Sequence, residues 1–234
     1  MNAIKIPYNK FRYIYPPRPE LALDSSNLPD YESKGYLWQP KLNGDSLLIF
    51  TNGIETHVYN RHKKNFKKEI KLESSFHKLH RETITDEKGS ATNKWMVLVG
   101  EYMIKSKRNE QDLVWNNKFV IFDILVFDGF QLLGWTFRQR MELLDRLYGK
   151  DDMVLTPDGV ETLKFLYTTP IEDVFRVKTF EDCIPKLWKD LIKIDMYEGL
   201  VGKRADAPLE NGTTERNNTA SQVKFRKPTK NYKF

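Results

Sequence analysis

Apolar residues recur along this chain in short runs that are separated by polar stretches and turn residues. The two strongest runs, 94–103 and 119–127, are rich in β-branched and aromatic residues and predict buried strands. Residues 36–59 predict two or three strands, with Thr51-Asn52-Gly53 as a hairpin turn. Shorter apolar runs predict further strands at 174–177, 199–203 and 222–226.

Three other segments follow the helical period of 3.6 residues. In 137–148, Met141, Leu144 and Leu147 fall on one face and arginines on another. Helices are also predicted at 69–82 and 179–193. Because helices and strands mix without a regular βαβ alternation, we expect an α+β fold with largely antiparallel sheets.

The chain shows no linker that would divide it, so we predict one domain across 1–234. Residues 1–30 are rich in proline and tyrosine and predict an extended N-terminal arm that lies on the domain. Polar loops are predicted at 83–94 and 207–220.

Composition narrows the class of protein. A chain of 234 residues with 40% hydrophobic content can bury a sizeable core. Its single cysteine, Cys183, excludes a disulfide framework and a cysteine-rich zinc site, and fits a reducing compartment. No apolar run approaches the roughly 20 residues of a membrane helix. We therefore predict a monomeric, cytoplasmic protein with no membrane segment.

Candidate chemistry begins at Lys41, which follows an extended Gln39-Pro40 pair and precedes Gly44. A lysine amine becomes a nucleophile only when burial or neighbouring positive charge lowers its pKa. Glu101 and Glu198 each stand beside a glycine at the boundary of an apolar strand. Taken alone, each acid also fits a solvated strand end.

Two further features are unusual in their setting. Asp123 interrupts an apolar strand, so we expect it to be hydrogen-bonded inside the core or to lie near a site. The net charge is +6, and basic residues cluster in 61–68 and in the last eleven residues. Such clusters suit a polyanionic partner, although a solvated basic loop has the same composition.

In this order, the features resemble the covalent nucleotidyltransferases, which comprise ATP-dependent DNA and RNA ligases and mRNA capping enzymes. The resemblance spans roughly residues 36–228. The segments that carry it are Lys41-Leu42-Asn43-Gly44 (KxDG), Asn60-Arg61, Val99-Gly100-Glu101, Phe122-Asp123-Ile124-Leu125 (FDxL), Phe137-Arg138-Gln139-Arg140-Met141-Glu142-Leu143-Leu144 (RxRxELL), Glu198-Gly199-Leu200-Val201-Gly202-Lys203 (EGxVxK) and Lys224-Phe225-Arg226 (KxK).

The resemblance implies an ATP-grasp-like ligase catalytic domain with two mostly antiparallel sheets flanked by helices and with no oligonucleotide-binding (OB) domain. It also implies that Lys41 attacks the α-phosphorus of ATP and carries AMP. The implied nucleotide contacts are Gln39, Asn43, Gly44, Arg61, Glu101, Phe122, Lys203, Lys224 and Arg226. Glu198 and Glu101 would hold Mg²⁺ or Mn²⁺. The implied nucleic-acid contacts are Arg61, Lys63, Lys64, Lys67 and Lys68.

Within the family, the implied roles divide by chemistry. Glu101 would hold the ribose hydroxyls, Phe122 would stack on adenine, and Lys224 and Arg226 would contact the α-phosphate. Cations and a metal ion at the phosphates are the expected parts of such a site, because phosphoryl transfer depends mainly on positioning and charge neutralisation.

The sequence departs from the family pattern at Gln39, Asn43, Ser46 and Arg226, where Glu, Asp, Arg and Lys are commoner. The chain also ends just after the last motif, which fits a minimal ligase, a partner that supplies the OB domain, or a truncated chain. We predict a ligase that seals 5′-phosphate/3′-OH nicks, with DNA favoured over RNA. A capping guanylyltransferase and a non-catalytic nucleic-acid-binding module remain as alternatives.

Overall fold

A computed structural model describes residues 18–60, 64–66, 70–149, 151–156, 159–210 and 218–228. Their strands, in chain order, are β1 (Arg18–Leu23), β2 (Tyr36–Leu42), β3 (Asp45–Thr51), β4 (Thr56–Asn60), β5 (Met96–Met103), β6 (Lys107–Arg108), β7 (Val114–Trp115), β8 (Lys118–Phe127), β9 (Phe130–Gln131), β10 (Met153–Thr156), β11 (Gly159–Thr162), β12 (Leu166–Thr168), β13 (Val174–Val177), β14 (Tyr197–Arg204) and β15 (Asn218–Arg226). The helices are α1 (Leu28–Glu32), α2 (Glu73–Thr83), α3 (Phe137–Tyr148) and α4 (Ile184–Leu191), with a 3₁₀ turn at Ser25–Asn27.

Two sheets organise the part of the chain that the structure describes. A four-stranded sheet has the order β1-β15-β14-β2, and a seven-stranded sheet has the order β12-β13-β8-β5-β3-β4 with β9 beside β8. Pairing is antiparallel except between β1 and β15 and between β8 and β13. The short pairs β6–β7 and β10–β11 form separate ribbons. The predicted α+β class with mostly antiparallel sheets is confirmed.

Strands β2 and β3 follow one another closely but belong to different sheets. The sequence predicts a strand, a turn and a strand here, and the intervening residues Asn43 and Gly44 do join two strands. However, β2 pairs with β14, whereas β3 pairs with β4 and β5. The chain therefore crosses from one sheet to the other immediately after Lys41.

The described residues form two hydrophobic cores, and the second also takes in side chains of the seven-stranded sheet such as Val120 and Phe175. One core packs the seven-stranded sheet against α2 and α3, with Phe76, Phe119 and Met141 among its members. The other packs the four-stranded sheet against α4 and includes Trp38 and Phe225. The half-buried ring of Phe122 packs against both. It therefore stands where the two layers meet.

Helix α3 occupies the predicted range 137–148. Its first turn is closed by a capping box in which Thr136 and Gln139 hydrogen-bond each other's backbone N–H groups, and Gly149 follows its last residue. The predicted helices at 69–82 and 179–193 are shorter, as α2 and α4. Of the predicted extended arm, residues 1–17 lie outside the described residues, 18–23 are extended in β1, and 25–30 belong to the 3₁₀ turn and α1. No helix in the described ranges is long and apolar enough to cross a bilayer.

Candidate active site

Lys41 lies near the end of β2, on the face of the four-stranded sheet that turns away from its core. Side chains alternate along a strand, so Gln39 and Lys41 share this face, while Trp38 is fully buried on the other. The register places Lys41 opposite Gly199 of β14, and Gly199 opposite Arg226 of β15. Three strands thus bring the first and last predicted motifs together.

Glu198 links the side chains of Lys41 and Arg226. Its Oε1 contacts Nζ of Lys41 and also accepts a hydrogen bond from Nη2 of Arg226 at 3.2 Å. All three side chains are between one fifth and about one quarter exposed, at 21% for Lys41 and Arg226 and 26% for Glu198. A ligand that arrives from solvent can therefore reach the lysine amine.

The backbone at Gly199 explains how Glu198 reaches Lys41. The β14–β2 register shifts between Tyr197 and Gly199, and Gly199 has a φ of +151°. A Cβ at Gly199 would lie 1.9 Å from the carbonyl oxygen of Phe225, so only glycine fits. The resulting irregularity, like other bulges, redirects a side chain at the sheet edge.

Glu101 approaches from the other sheet. It lies on β5, is 9% exposed, and accepts a hydrogen bond from the backbone N–H of Gly44 at 3.0 Å. Burial raises the pKa of the Glu101 carboxyl to about 7, although the charge of Lys41 and the Gly44 N–H oppose the rise. The charge of Glu198 raises this pKa further, which shows that the two carboxylates are electrostatic neighbours.

The connection between β2 and β3 is held by both sheets. The N–H of Asn43 donates to the carbonyl of Met196 at 3.0 Å, on the β14 side, while the N–H of Gly44 turns to Glu101. A Cβ at Gly44 would lie 2.5 Å from the carbonyl oxygen of Tyr102. The KLNG segment is thus a tight crossing that fixes Lys41 relative to Glu101.

Gln39, two residues before Lys41 on β2, contacts Phe122, which lies on β8 of the other sheet. Nε2 of Gln39 donates to the carbonyl oxygen of Phe122 at 3.1 Å and lies 3.4 Å from Sδ of Met141. This arrangement fixes the orientation of the Gln39 amide, because its nitrogen faces the carbonyl. The Gln39 oxygen remains as an acceptor beside the Phe122 ring.

A buried charge network lies behind Phe122. Arg140 binds both carboxylate oxygens of Asp123, and Nζ of Lys203 lies 3.7 Å from the same carboxylate. Burial would raise the pKa of Asp123, but the Arg140 and Lys203 charges and the hydrogen bonds outweigh it and lower the pKa. Burial lowers the pKa of Lys203 to about 8.

Lys203, which its motif implies as a nucleotide contact, lies in the interior beside Phe122. Its ammonium lies 5.0 Å from the ring centroid of Phe122 and 4.5 Å from that of Phe137, and its side chain is 8% exposed. The distances are those of cation–π contacts. In this structure Lys203 supports the Phe122 ring from within the protein.

The remaining predicted residues divide into two groups. Lys224 lies opposite Val201 on β15 and is half-buried on the face that carries Lys41. Lys64 is exposed, and its backbone N–H and carbonyl bond the side chain and backbone of Asn60. Four predicted contacts lie outside the described residues: Arg61, Lys63, Lys67 and Lys68.

Arg140 is a functional candidate to which sequence reasoning gave no role. It belongs to the RxRxELL segment, but its partner Asp123 is on another element. The signal was present in two places, as an acid within an apolar strand and as an arginine on an amphipathic helix. A buried acid of this kind requires a cation, and the helix carries the nearest one.

The two carboxylates of the site suit a magnesium ion. Within the described ranges, no group of three or more His, Cys, Asp or Glu side chains is arranged to hold a metal. Mg²⁺ commonly binds through one or two carboxylates together with substrate phosphates and water. Glu101 and Glu198, which are partly neutralised by Lys41, match that donor set when a nucleotide supplies the phosphates.

Solved structures with a similar fold include DNA ligases. The ligase domain of M. tuberculosis LigD superposes with a TM-score of 0.56 and 17% identity over 90% of this chain and 59% of its own. Mycobacterial DNA ligase D complexed with ATP and MES gives 0.53 and 16% over 90% and 60%. The ATP-dependent DNA ligase of bacteriophage T7, in complex with ATP, gives 0.52 and 13% over 93% and 69%.

These similarities establish the fold. The chain shares its fold with these ligase structures, and it spans about three fifths of the length of the LigD and ligase D chains. No protein-family model matches the sequence, and a comparison with curated protein sequences gives no match.

Proposed function

We propose that this chain is an ATP-dependent polynucleotide ligase that carries AMP on Lys41 and seals nicks between a 5′-phosphate and a 3′-hydroxyl. The observation that carries the proposal is the convergence of Lys41, Glu198 and Arg226 from three strands of one sheet, facing Glu101 of the other. A nucleophilic amine, two carboxylates and a guanidinium are the groups that nucleotidyl transfer needs.

In the first step, Nζ of Lys41 forms a bond to the α-phosphorus of ATP, and the bond from that phosphorus to the bridging oxygen of pyrophosphate breaks. Before it attacks, the ammonium has to release a proton to water and leave its contact with Glu198, and a second proton passes to water when the nitrogen–phosphorus bond forms. Arg226 still binds Glu198 when Lys41 leaves, so the carboxylate does not remain as an uncompensated charge. Lys224 and Arg226 then face the α-phosphate on the same sheet.

The nucleoside would lie between the two sheets. Phe122 offers a ring on which a base can stack, and the oxygen of Gln39 is an acceptor for the amino group of adenine. Glu101 can accept hydrogen bonds from the ribose hydroxyls while it retains the Gly44 N–H. Asn43 and Gly44 contribute by fixing the crossing, and Lys203 by supporting Phe122.

Glu198 and Glu101 are the residues that would hold a divalent metal ion, Mg²⁺ or Mn²⁺, together with the phosphates of the nucleotide. When bound, it would neutralise the charge that develops on the α-phosphate and on the leaving pyrophosphate. The protein's own part is to hold the two carboxylates on separate sheets, so that both must be in place before the ion is held.

Labelling by ATP tests the proposal directly. The protein is incubated with ATP and Mg²⁺, and its intact mass is measured; we expect a gain of one AMP. Lys41→Arg keeps the charge but removes the nucleophile and should abolish the gain, whereas Lys94→Ala, in the loop before β5, should keep it. Labelling of Lys41→Arg would refute the assignment, and the lack of any AMP on the parent protein would favour a non-catalytic binding module.

We propose DNA as the preferred nucleic acid, because the FDIL and RQRMELL segments and the similar structures are of DNA-ligase type. Sealing rates on matched nicks with DNA or RNA strands test this preference. Faster sealing of RNA would instead support the second candidate, an RNA ligase. Labelling by GTP in place of ATP would support a capping guanylyltransferase.

A further inference from the structure

A second basic cluster lies beside the proposed site, formed by Lys107 of the β6–β7 ribbon and Lys227 just after β15. Nζ of Lys107 contacts Oδ1 of Asp195 at 3.1 Å, and the backbone N–H of Arg108 donates to Oδ2 at 3.2 Å. Nζ of Lys227 donates to the carbonyl of Ile194 at 2.6 Å. Two distant segments thus place their lysines against one loop, 192–196.

This cluster is continuous with the site of Lys41. The backbone N–H of Lys227 donates to the carbonyl of Glu198 at 2.9 Å, and Arg226, the preceding residue, binds the Glu198 side chain. The same loop accepts the N–H of Asn43 at Met196. An anion held by Lys107 and Lys227 would therefore lie next to the reacting lysine without occupying its row.

The cluster carries more positive than negative charge. Asp195 is the carboxylate that faces both lysines, and its side chain is 51% exposed. An added anion would relieve the repulsion between the two lysines.

The charge continues outward from these two lysines. Lys105 and Lys193 are exposed near them in sequence, and the Arg108 side chain is 55% exposed. Arg108 pairs with Asp112, which is itself 82% exposed, so the pair costs little to separate. Exposed cations in the segments that carry the cluster suit a chain of phosphates better than the three phosphates of one nucleotide.

We propose that Lys107 and Lys227 bind backbone phosphates of the nucleic-acid strand beside the reacting end. The proposal rests on the proposed function and adds the surface by which the strand is held. Lys107 and Lys227 would then hold nucleic acid, while Lys41, Glu198 and Arg226 bind the nucleotide.

The salt dependence of nick binding tests the proposal. Binding of a nicked duplex is measured between low and moderate salt for the parent, for Lys107→Ala/Lys227→Ala, and for Lys94→Ala/Lys118→Ala, whose lysines form comparable surface ion pairs with Asp128 and Asp173. Each lost phosphate contact lowers the slope of log K against log salt by about 0.9, so the first variant should lose nearly 2. The control variant should keep the parent slope.

Two further measurements separate the sources of phosphate. AMP labelling should be retained in Lys107→Ala/Lys227→Ala, while sealing of a nick that already carries AMP should fall at least tenfold, and Lys107→Arg/Lys227→Arg should restore it. Loss of labelling with an unchanged salt slope would assign the cluster to the outer phosphates of ATP and overturn the proposal. An unchanged slope with unchanged labelling would also overturn it.

The salt slope also distinguishes this inference from the proposed function. If the parent protein does not label with ATP, the proposed function fails, yet nick binding still reports on the two lysines. If the parent protein gains AMP but the Lys107→Ala/Lys227→Ala variant binds the nick with the parent salt slope, the proposed function stands and only the inference about these lysines fails.

Discussion

Arg140 donates two hydrogen bonds to the carboxylate of Asp123, from Nε to Oδ1 at 2.8 Å and from Nη2 to Oδ2 at 3.1 Å. Both side chains are almost fully buried, at 4% and 6% exposure. The pair connects helix α3 to strand β8 directly behind Phe122. It therefore ties the packing of the fold to the proposed base platform.

Removal of one partner should destabilise the protein, and the two single variants should differ. Asp123→Asn leaves two buried cations, Arg140 and Lys203, without their carboxylate, and should cost about 3–5 kcal/mol in the free energy of unfolding. Arg140→Met leaves Lys203 to compensate Asp123 and should cost less. Urea unfolding measures both, and equal costs would show that Lys203 contributes no compensation.

Glu101 should make stability depend on pH. Burial raises the pKa of its carboxyl from 4.5 to about 7, so the folded protein binds more protons than the unfolded chain between these values. Stability should therefore fall as the pH rises from about 4.5 to 7, by about 3 kcal/mol in total, and then level off. Glu101→Gln keeps an acceptor for Gly44 and should flatten this dependence. Parallel curves for the two proteins in urea unfolding at pH 5 and 7.5 would contradict the assignment.

Gln39 should govern the choice of base. Its nitrogen is engaged by Phe122, so its oxygen is left to accept from the amino group of adenine, which guanine lacks at that position. We expect labelling by ATP to exceed labelling by GTP. Gln39→Leu should reduce the ratio of ATP to GTP labelling at least tenfold, because a hydrogen bond that selects adenine is lost. Gln222→Leu, at another buried glutamine, is the matched control and should keep the parent ratio.

The Mg²⁺ requirement of AMP labelling should depend on Glu198. Chelation of divalent ions should abolish AMP labelling, and Mg²⁺ should restore it. Glu198→Gln should raise the Mg²⁺ concentration needed for half-maximal labelling by about tenfold or more, because a ligand and its charge are lost. Glu181→Gln removes a carboxylate from an exposed pair with Arg138 and serves as the control. An equal shift of the half-maximal Mg²⁺ concentration in the two variants would show that Glu198 does not bind the metal.

Local patterns predicted the elements that depend on local interactions. Helix α3 carries its period, its capping box and a terminal glycine within fourteen residues, and its range agrees with the prediction. Strand β13 likewise occupies the predicted range 174–177. The ribbons β6–β7 and β10–β11 were missed because their strands have only two to four residues, at or below the shortest run by which a strand is recognised.

Local sequence patterns did not predict the features that depend on contacts between residues distant in the chain. An Asn-Gly connection between two strands normally indicates a hairpin, yet here both of its N–H groups bond other elements and the strands separate. The irregularity at Gly199 arises from the close approach of Phe225, twenty-six positions away. The interior position of Lys203 depends on Asp123 and on two aromatic rings from other elements.

The crossing at Asn43 and Gly44 would make the proposed attachment of AMP a reporter of the complete native state. Lys41 and Glu198 belong to one sheet and Glu101 and Phe122 to the other, so a chain with only one sheet formed holds half of the site. Pulsed exposure to ATP during refolding would then tag only those molecules whose halves have docked. The tagged fraction would time the last assembly event separately from the formation of either layer.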